Sequence, residues 1–174
     1  MKNFKLNEKD ILSNQDWTFP TTTYYGPGRF NEIAKFCEEF DIKNPLIVTD
    51  SGSKDLPFIK KLIALLSKNN IKSDLFYNIS PNPRDDEISK GCDQFKNGSH
   101  DSIIAIGGGS AMDGGKSICL TVNSETPLWD FEFEQPVPKI TKENAFPKII
   151  TVPTTAGTGA ETEITAMVLS LIHI

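Results

Sequence analysis

Two glycine-rich stretches and one acid carry most of the chemical potential of this sequence. The first stretch is IIAIGGGSAMDGGK, an apolar run that ends in Gly107-Gly108-Gly109 and passes into a helical pattern at Ser110. Consecutive glycines let a backbone approach a ligand closely and turn its N–H groups outward, and a helix N-terminus adds partial positive charge. Both properties at one place suit a pyrophosphate. The second stretch is PTTAGTGAE, residues 153–161. There Thr154, Thr155 and Thr158 offer hydroxyls that can donate and accept, while Gly157 and Gly159 let the loop close over sugar or amide groups. The acid is Asp50, at the end of PLIVTD. A carboxylate after a strand can accept both hydroxyls of an adenosine ribose and repels a 2′-phosphate.

Each feature also has a plain explanation. Ser110 can be an ordinary N-cap with Asp113 completing a capping box, the threonine loop a solvated linker, and Asp50 a common turn residue. Gly114 and Gly115 weigh against an ordinary helix start, because glycine costs about 1 kcal/mol relative to alanine inside a helix. Something must need that space, either a ligand or a neighbouring backbone. Two familiar phosphate loops do not match. The dinucleotide fingerprint requires glycine at position 112, where Met112 stands, and the Walker pattern has Gly115-Lys116-Ser117 but Ser110 in place of its first glycine. Lys116 alone reads as a solvated helix charge.

The elements that must position these residues follow from periodicity. WTFPTTTYYG, from Trp17, is aromatic and β-branched and predicts a strand closed by the turn Gly26-Pro27-Gly28. RFNEIAKFCEEF repeats apolar residues at Phe30, Ile33, Ala34, Cys37 and Phe40, which is helical spacing. PLIVTD predicts a strand buried on both faces, DLPFIKKLIALLSKNN a helix, SDLFYNI a strand, 84–98 a polar helix, and DSIIAIGG a further buried strand. A helix then starts directly off the glycine loop. Residues 123–146 lose all period and predict a long surface loop before the strand KIITV. Strict alternation of strand and helix implies an α/β fold with a Rossmann-like parallel sheet, flanking helices and right-handed crossovers.

Composition narrows the function further. The chain has 174 residues, 38% of them apolar, enough for one well-cored domain. A net charge of −5 without a basic cluster argues against nucleic acid as a partner. The first ten residues hold no apolar core of signal-peptide length and no later run approaches a membrane span, so no membrane partner is expected. Cys37, Cys92 and Cys119 are odd in number, far apart and set in helical segments, which suits a reduced, cytoplasmic compartment better than a disulfide framework.

The first stretch resembles the GGGSxxDxxK signature of the iron-containing alcohol dehydrogenases, with Gly107, Gly108, Gly109, Ser110, Asp113 and Lys116 all in place. PTTAGTGAE is similar to that family's PTTAGTGSE, and Pro81-Asn82-Pro83 matches a third short element in the expected order. The similarity runs from Trp17 to about Val168. By that resemblance Gly108, Gly109 and Ser110 line the pyrophosphate of the cofactor, and Asn82, Thr154, Thr155 and Thr158 contact its sugar and nicotinamide side. Asp113 and Lys116 join the site on the resemblance alone. Asp50 falls where the family keeps its cofactor-discriminating acid, which favours NAD over NADP. Ala160 stands where the family usually has serine, so altered hydrogen bonding at the loop edge is expected, without loss of cofactor binding.

The resemblance implies an oxidoreductase that exchanges hydride between NAD(H) and a small alcohol or aldehyde, with Fe2+ or another divalent metal in the complete enzyme, and it leaves room for a homo-oligomer. The family's ligands, one Asp and three His, lie beyond the second signature, largely in a helical C-terminal domain. None is expected here: His100 sits in a polar turn and His173 lacks a partner at ligand spacing. Residues 1–168 are therefore expected to be a truncated dinucleotide-binding domain, inactive alone, and 169–174, the end of the apolar run MVLSLIHI, a tail outside the native frame. A nucleotide-binding module without catalysis, and a relative of glycerol dehydrogenase or dehydroquinate synthase, are the alternatives.

Overall fold

The structure is a computed structural model and describes residues 14–17, 21–136, 138–139 and 146–172. Its centre is a four-stranded sheet of β3 (Pro45–Asp50), β4 (Asp74–Ile79), β5 (Ser102–Gly107) and β6 (Lys148–Pro153), in the order β4-β3-β5-β6. Every pair is parallel. The connections β3 to β4 to β5 are made by α2 (Pro57–Lys68) and α3 (Asp85–Asn97), and α4 (Gly109–Thr121) follows β5. The alternating pattern thus produces the parallel α/β sheet that it predicts.

Burial follows the two-residue period of a strand. Leu46 and Val48 of β3 and Ile103 and Ala105 of β5 face one core with Phe76, Ile79, Ile88, Met112 and Ile118, under α3 and α4. Ile47, Ile104 and Ile106 face the other, against Ile33 and Cys37 of α1 (Ile33–Glu39) and Ile59, Leu62 and Leu66 of α2. With β5 buried along its whole length and β3 nearly so, their continuous apolar runs are explained.

Local differences from expectation occur where partners are distant or the turn is tight. The stretch from Trp17 does not form one strand: β1 (Gln15–Trp17) and β2 (Thr23–Tyr25) pair antiparallel, so this segment finds its partner in itself, away from the main sheet. Residues 29–40 start as a 3-10 turn, Arg29–Glu32, directly after Gly28 at φ +84°, and only then become α1. Among the described residues of the loop 123–146, Leu128–Phe131 forms a short 3-10 turn. Leu169 is bonded into the body of the protein, its N–H donating to the Pro83 carbonyl (2.7 Å) and its own carbonyl accepting from Asp85 N–H (3.0 Å). His173 lies outside the described residues.

Candidate functional site

The sheet reverses its order beside β3. The chain adds β4 on one side and β5 then β6 on the other, which opens a crevice at the carboxyl ends of β3 and β5. Asp50 ends β3 and Gly107 ends β5, and a methyl group placed on Gly107 would stand 3.1 Å from Asp50 Oδ2. The acid expected at the ribose and the glycine loop expected at the phosphates therefore meet at the crossover. Asp50 is oriented by its own turn: Oδ1 accepts Gly52 N–H (3.0 Å) and Oδ2 accepts the Ser53 hydroxyl (2.7 Å).

The second glycine loop stands against the first. Thr154 N–H donates to the Gly107 carbonyl (2.8 Å), continuing the β5–β6 ladder by one rung. A methyl on Gly108 would lie 3.4 Å from Thr155 Oγ1, and one on Gly109 would lie 3.6 Å from Thr158 Cγ2. Side chains on either glycine would fill the gap between the loops. Gly157 (φ +97°) and Gly159 (φ +69°) supply the left-handed backbone that turns the threonine loop back toward α4. Thr154, Thr155 and Thr158 are exposed at its rim, Thr158 Oγ1 accepting from Ala160 N–H (3.4 Å).

Helix α4 begins two residues earlier than a Ser110 cap would allow. Its N-cap is Gly108, and the first intrahelical bond runs from Met112 N–H to the Gly108 carbonyl (3.2 Å). The N–H groups of Gly109, Ser110 and Ala111 precede that bond and aim out of the helix end, the arrangement that receives an anion. Ser110 does not cap, and Asp113 does not complete a capping box. The Ser110 hydroxyl donates to the Pro81 carbonyl, which ties the glycine loop to the Pro81-Asn82-Pro83 turn between β4 and α3. Asn82 is exposed at the tip of that turn.

Asp113 and Lys116 form an i,i+3 pair (3.5 Å), and Lys116 Nζ also donates to the Glu163 carbonyl (3.3 Å) and to the Thr165 carbonyl. Lys116 is thus no solvated helix charge; it ties α4 to the chain after the second loop. Gly114 and Gly115 answer the question of what needs their space. A methyl on Gly114 would come within 2.7 Å of Ile79 Cδ1 and one on Gly115 within 2.5 Å of the Ala105 methyl. The neighbour is the sheet, so these two glycines serve close helix–sheet packing and are no evidence for a ligand. Ala160 likewise faces inward, 5% exposed in the core under α4, and not the loop edge.

Sequence reasoning misses Glu87, whose residues 84–98 read as a polar helix. It is 4% exposed, and its Oε2 accepts from Ser80 N–H (3.1 Å), the Ser80 hydroxyl (3.0 Å) and Arg84 N–H (3.1 Å). A glutamate three residues after a helix boundary was the available signal. The other titratable candidates are structural. His100 is buried at the opposite edge of the sheet, Nδ1 3.0 Å from the Asn44 carbonyl and Nε2 3.3 Å from Asp74 Oδ2. Burial pushes the Cys37 thiol up to about 11 and Cys119 to about 12, so both stay protonated at neutral pH. An open cleft of about 680 Å³ between α3 and residues 124–129, lined by Ile88, Cys92, Thr121 and Trp129, includes none of the expected site residues.

Among the described residues no group of three or more His, Cys, Asp or Glu side chains could hold a metal ion, so they do not fit iron. No helix among them is long and apolar enough to cross a membrane.

Comparison with known proteins shows the family and the fold. The chain is 30% identical to 1,3-propanediol dehydrogenase of Klebsiella pneumoniae over 148 residues, covering 84% of this chain and 37% of that protein. It is 31% identical to choline dehydrogenase of Bacillus subtilis over 158 residues, covering 90% and 39%. The chain thus spans well under half the length of these curated relatives. The crystal structure of sulfoacetaldehyde reductase from Bifidobacterium kashiwanohense in complex with NAD+ superposes with a TM-score of 0.67 at 28% identity, over 78% of this chain and 35% of that one. The family described as iron-containing alcohol dehydrogenase matches residues 20–171, the whole span that holds the Pro81-Asn82-Pro83 turn and the two glycine loops after it, and this chain belongs to that family.

Proposed function

We propose that this chain is the cofactor-binding part of an NAD-dependent alcohol dehydrogenase that acts on a small alcohol or the matching aldehyde. The observation that carries this is the meeting of Asp50, the Gly107–Ser110 helix start and the Thr154–Thr158 loop at the carboxyl edge of the sheet, where its strand order reverses. The glycine gap fits a pyrophosphate. The first-turn amides of α4 bind its charge, Asp50 accepts the adenosine ribose hydroxyls, and Asn82 with the threonines holds the nicotinamide side. Asp113 and Lys116 support the site from one turn further along α4. When bound, the nicotinamide supplies hydride transfer; the protein's part is to hold it in one orientation.

Relatives named for propanediol and for choline both point to a primary alcohol as the substrate class. Iron would be held outside the described residues, by the complete protein. The three free cysteines suit a cytoplasmic setting.

Titration of the chain with NADH, followed by calorimetry or nuclear magnetic resonance, tests the proposal: saturable binding with shifts confined to the two glycine loops is expected, and no binding at millimolar NADH would refute it. Replacing Asp50 by Asn should shift the NADH-to-NADPH affinity ratio by about tenfold toward NADPH, the scale of one charged hydrogen bond, with repulsion of the 2′-phosphate removed as well. An unchanged ratio would remove Asp50 from cofactor discrimination.

A nucleotide-binding module without turnover of its own is favoured by the lack of a metal-ligand cluster among the described residues. With added Fe2+ the purified chain should bind NADH yet oxidise no alcohol; measurable NADH formation from a primary alcohol would overturn that expectation.

A further inference from the structure

We infer that Glu87, which is outside both glycine loops, is the positioning residue that sets the Pro81-Asn82-Pro83 turn against the cofactor crevice. This rests on the cofactor assignment above for its functional half. A carboxylate this deeply buried persists only when its oxygens are satisfied, and this one is satisfied entirely by the turn it underlies. Oε2 gathers Ser80 N–H, the Ser80 hydroxyl and Arg84 N–H, and Oε1 pairs with Arg84 Nη2 (3.0 Å). The two ends of the turn are thereby clamped to one side chain at the start of α3, and the Ser80 hydroxyl also donates to the Asn82 carbonyl (3.0 Å).

What the clamp holds is a junction. The Pro81 carbonyl receives the Ser110 hydroxyl from the first glycine loop, and the Pro83 carbonyl receives Leu169 N–H from the chain beyond the second. Two prolines stiffen the turn but remove two backbone donors from it, so its placement depends on acceptors it offers outward and on the one acceptor beneath it. Without the Glu87 carboxylate, Ser80 and Arg84 lose their shared partner, and Asn82 and Ser110 lose their fixed relation to each other. A hydrogen bond to a charged acceptor in a buried site is worth about tenfold or more in an equilibrium.

The test compares the chain with its Glu87→Gln variant, which keeps the shape and removes the charge. Hydrogen exchange at Ser80 and Arg84 amides should accelerate about tenfold or more while β3 and β5 stay protected, NADH affinity should fall about tenfold, and ADP affinity should hardly change. ADP lacks the nicotinamide half and so does not call on Asn82. Unchanged exchange at Ser80 and Arg84, or an equal fall for NADH and ADP together with loss of strand protection, would overturn the inference. If the unsubstituted chain binds neither NADH nor ADP, the cofactor assignment itself has failed and the functional half of the inference falls with it. Exchange at the two amides then decides the structural half.

Discussion

Alanine at Gly107 should destabilise the protein by about 2–6 kcal/mol, since left-handed strain and overpacking each cost about 1–3 kcal/mol. Gly107 adopts φ +147°, which a side chain rarely tolerates, and its methyl would meet the Ala111 methyl at 2.7 Å, Asp50 Oδ2 at 3.1 Å and Thr49 Oγ1 at 3.4 Å. None of these can step aside. Ala111 is fully buried in α4, and the Thr49 hydroxyl is engaged by the Ile106 carbonyl (2.7 Å). For a chain of this size a loss on that scale lowers the melting temperature by about 10 °C, measured by circular dichroism. A melting temperature within a degree or two of the parent would show that the glycine is dispensable to the strand–helix turn.

Gly115 should show a different behaviour, because its constraint is a single contact. Alanine there gains about 1 kcal/mol of helix propensity, yet it places a methyl 2.5 Å from that of Ala105 on β5, an overpacking that costs about 1–3 kcal/mol. Gly115→Ala is therefore expected to destabilise on balance, and Ala105→Gly to destabilise through a weakened buried strand. The double variant should recover stability relative to the sum of the two, with a coupling of about 1–2 kcal/mol in denaturant titrations. Strict additivity would mean that α4 does not pack on β5 at that point.

These glycines show how far the sequence could be read. Strand and helix alternation was legible because each period is local, and the buried runs of β3 and β5 announced a parallel sheet. The two glycine loops and Asp50 were legible as pieces, since residue type and adjacency carry the chemistry. Which contact explained each glycine was not. Gly107 and Gly115 sit eight residues apart in one motif, yet one is demanded by backbone conformation at the crevice and the other by a strand methyl behind it. Local sequence cannot separate them, because one is decided by a backbone angle at the end of β5 and the other by how closely α4 packs on Ala105, and adjacency reveals neither.

The same limit hid Glu87 and Ala160. A glutamate among Asp85, Asp86 and Lys90 looks like part of a solvated face, and only the fold of residues 80–84 over it makes it an interior acceptor. Ala160 lies inside a polar loop motif but turns into the core, so its lost hydroxyl is a packing matter. Lys116 is tied to carbonyls of Glu163 and Thr165, a long-range partnership that spacing within α4 gives no sign of. The segment around Trp17 misled for the opposite reason: strong β propensity was real, but it was satisfied by a local antiparallel pair.

The rung from Thr154 to Gly107 joins two loops that the chain makes far apart, with the excursion after Val122 between them. Closing so long a loop carries an entropic cost before β6 gains any ladder bond, so strand docking and completion of the crevice are one event. A sheet lacking β6 would keep the α4 amides and Asp50 but lose the wall that faces them. Any molecule that touches both loops must then bind only the finished sheet, and by mass action it withdraws protein from every partly assembled state. Occupancy of the crevice and retention of the edge strand are in that sense a single equilibrium, observed at two places.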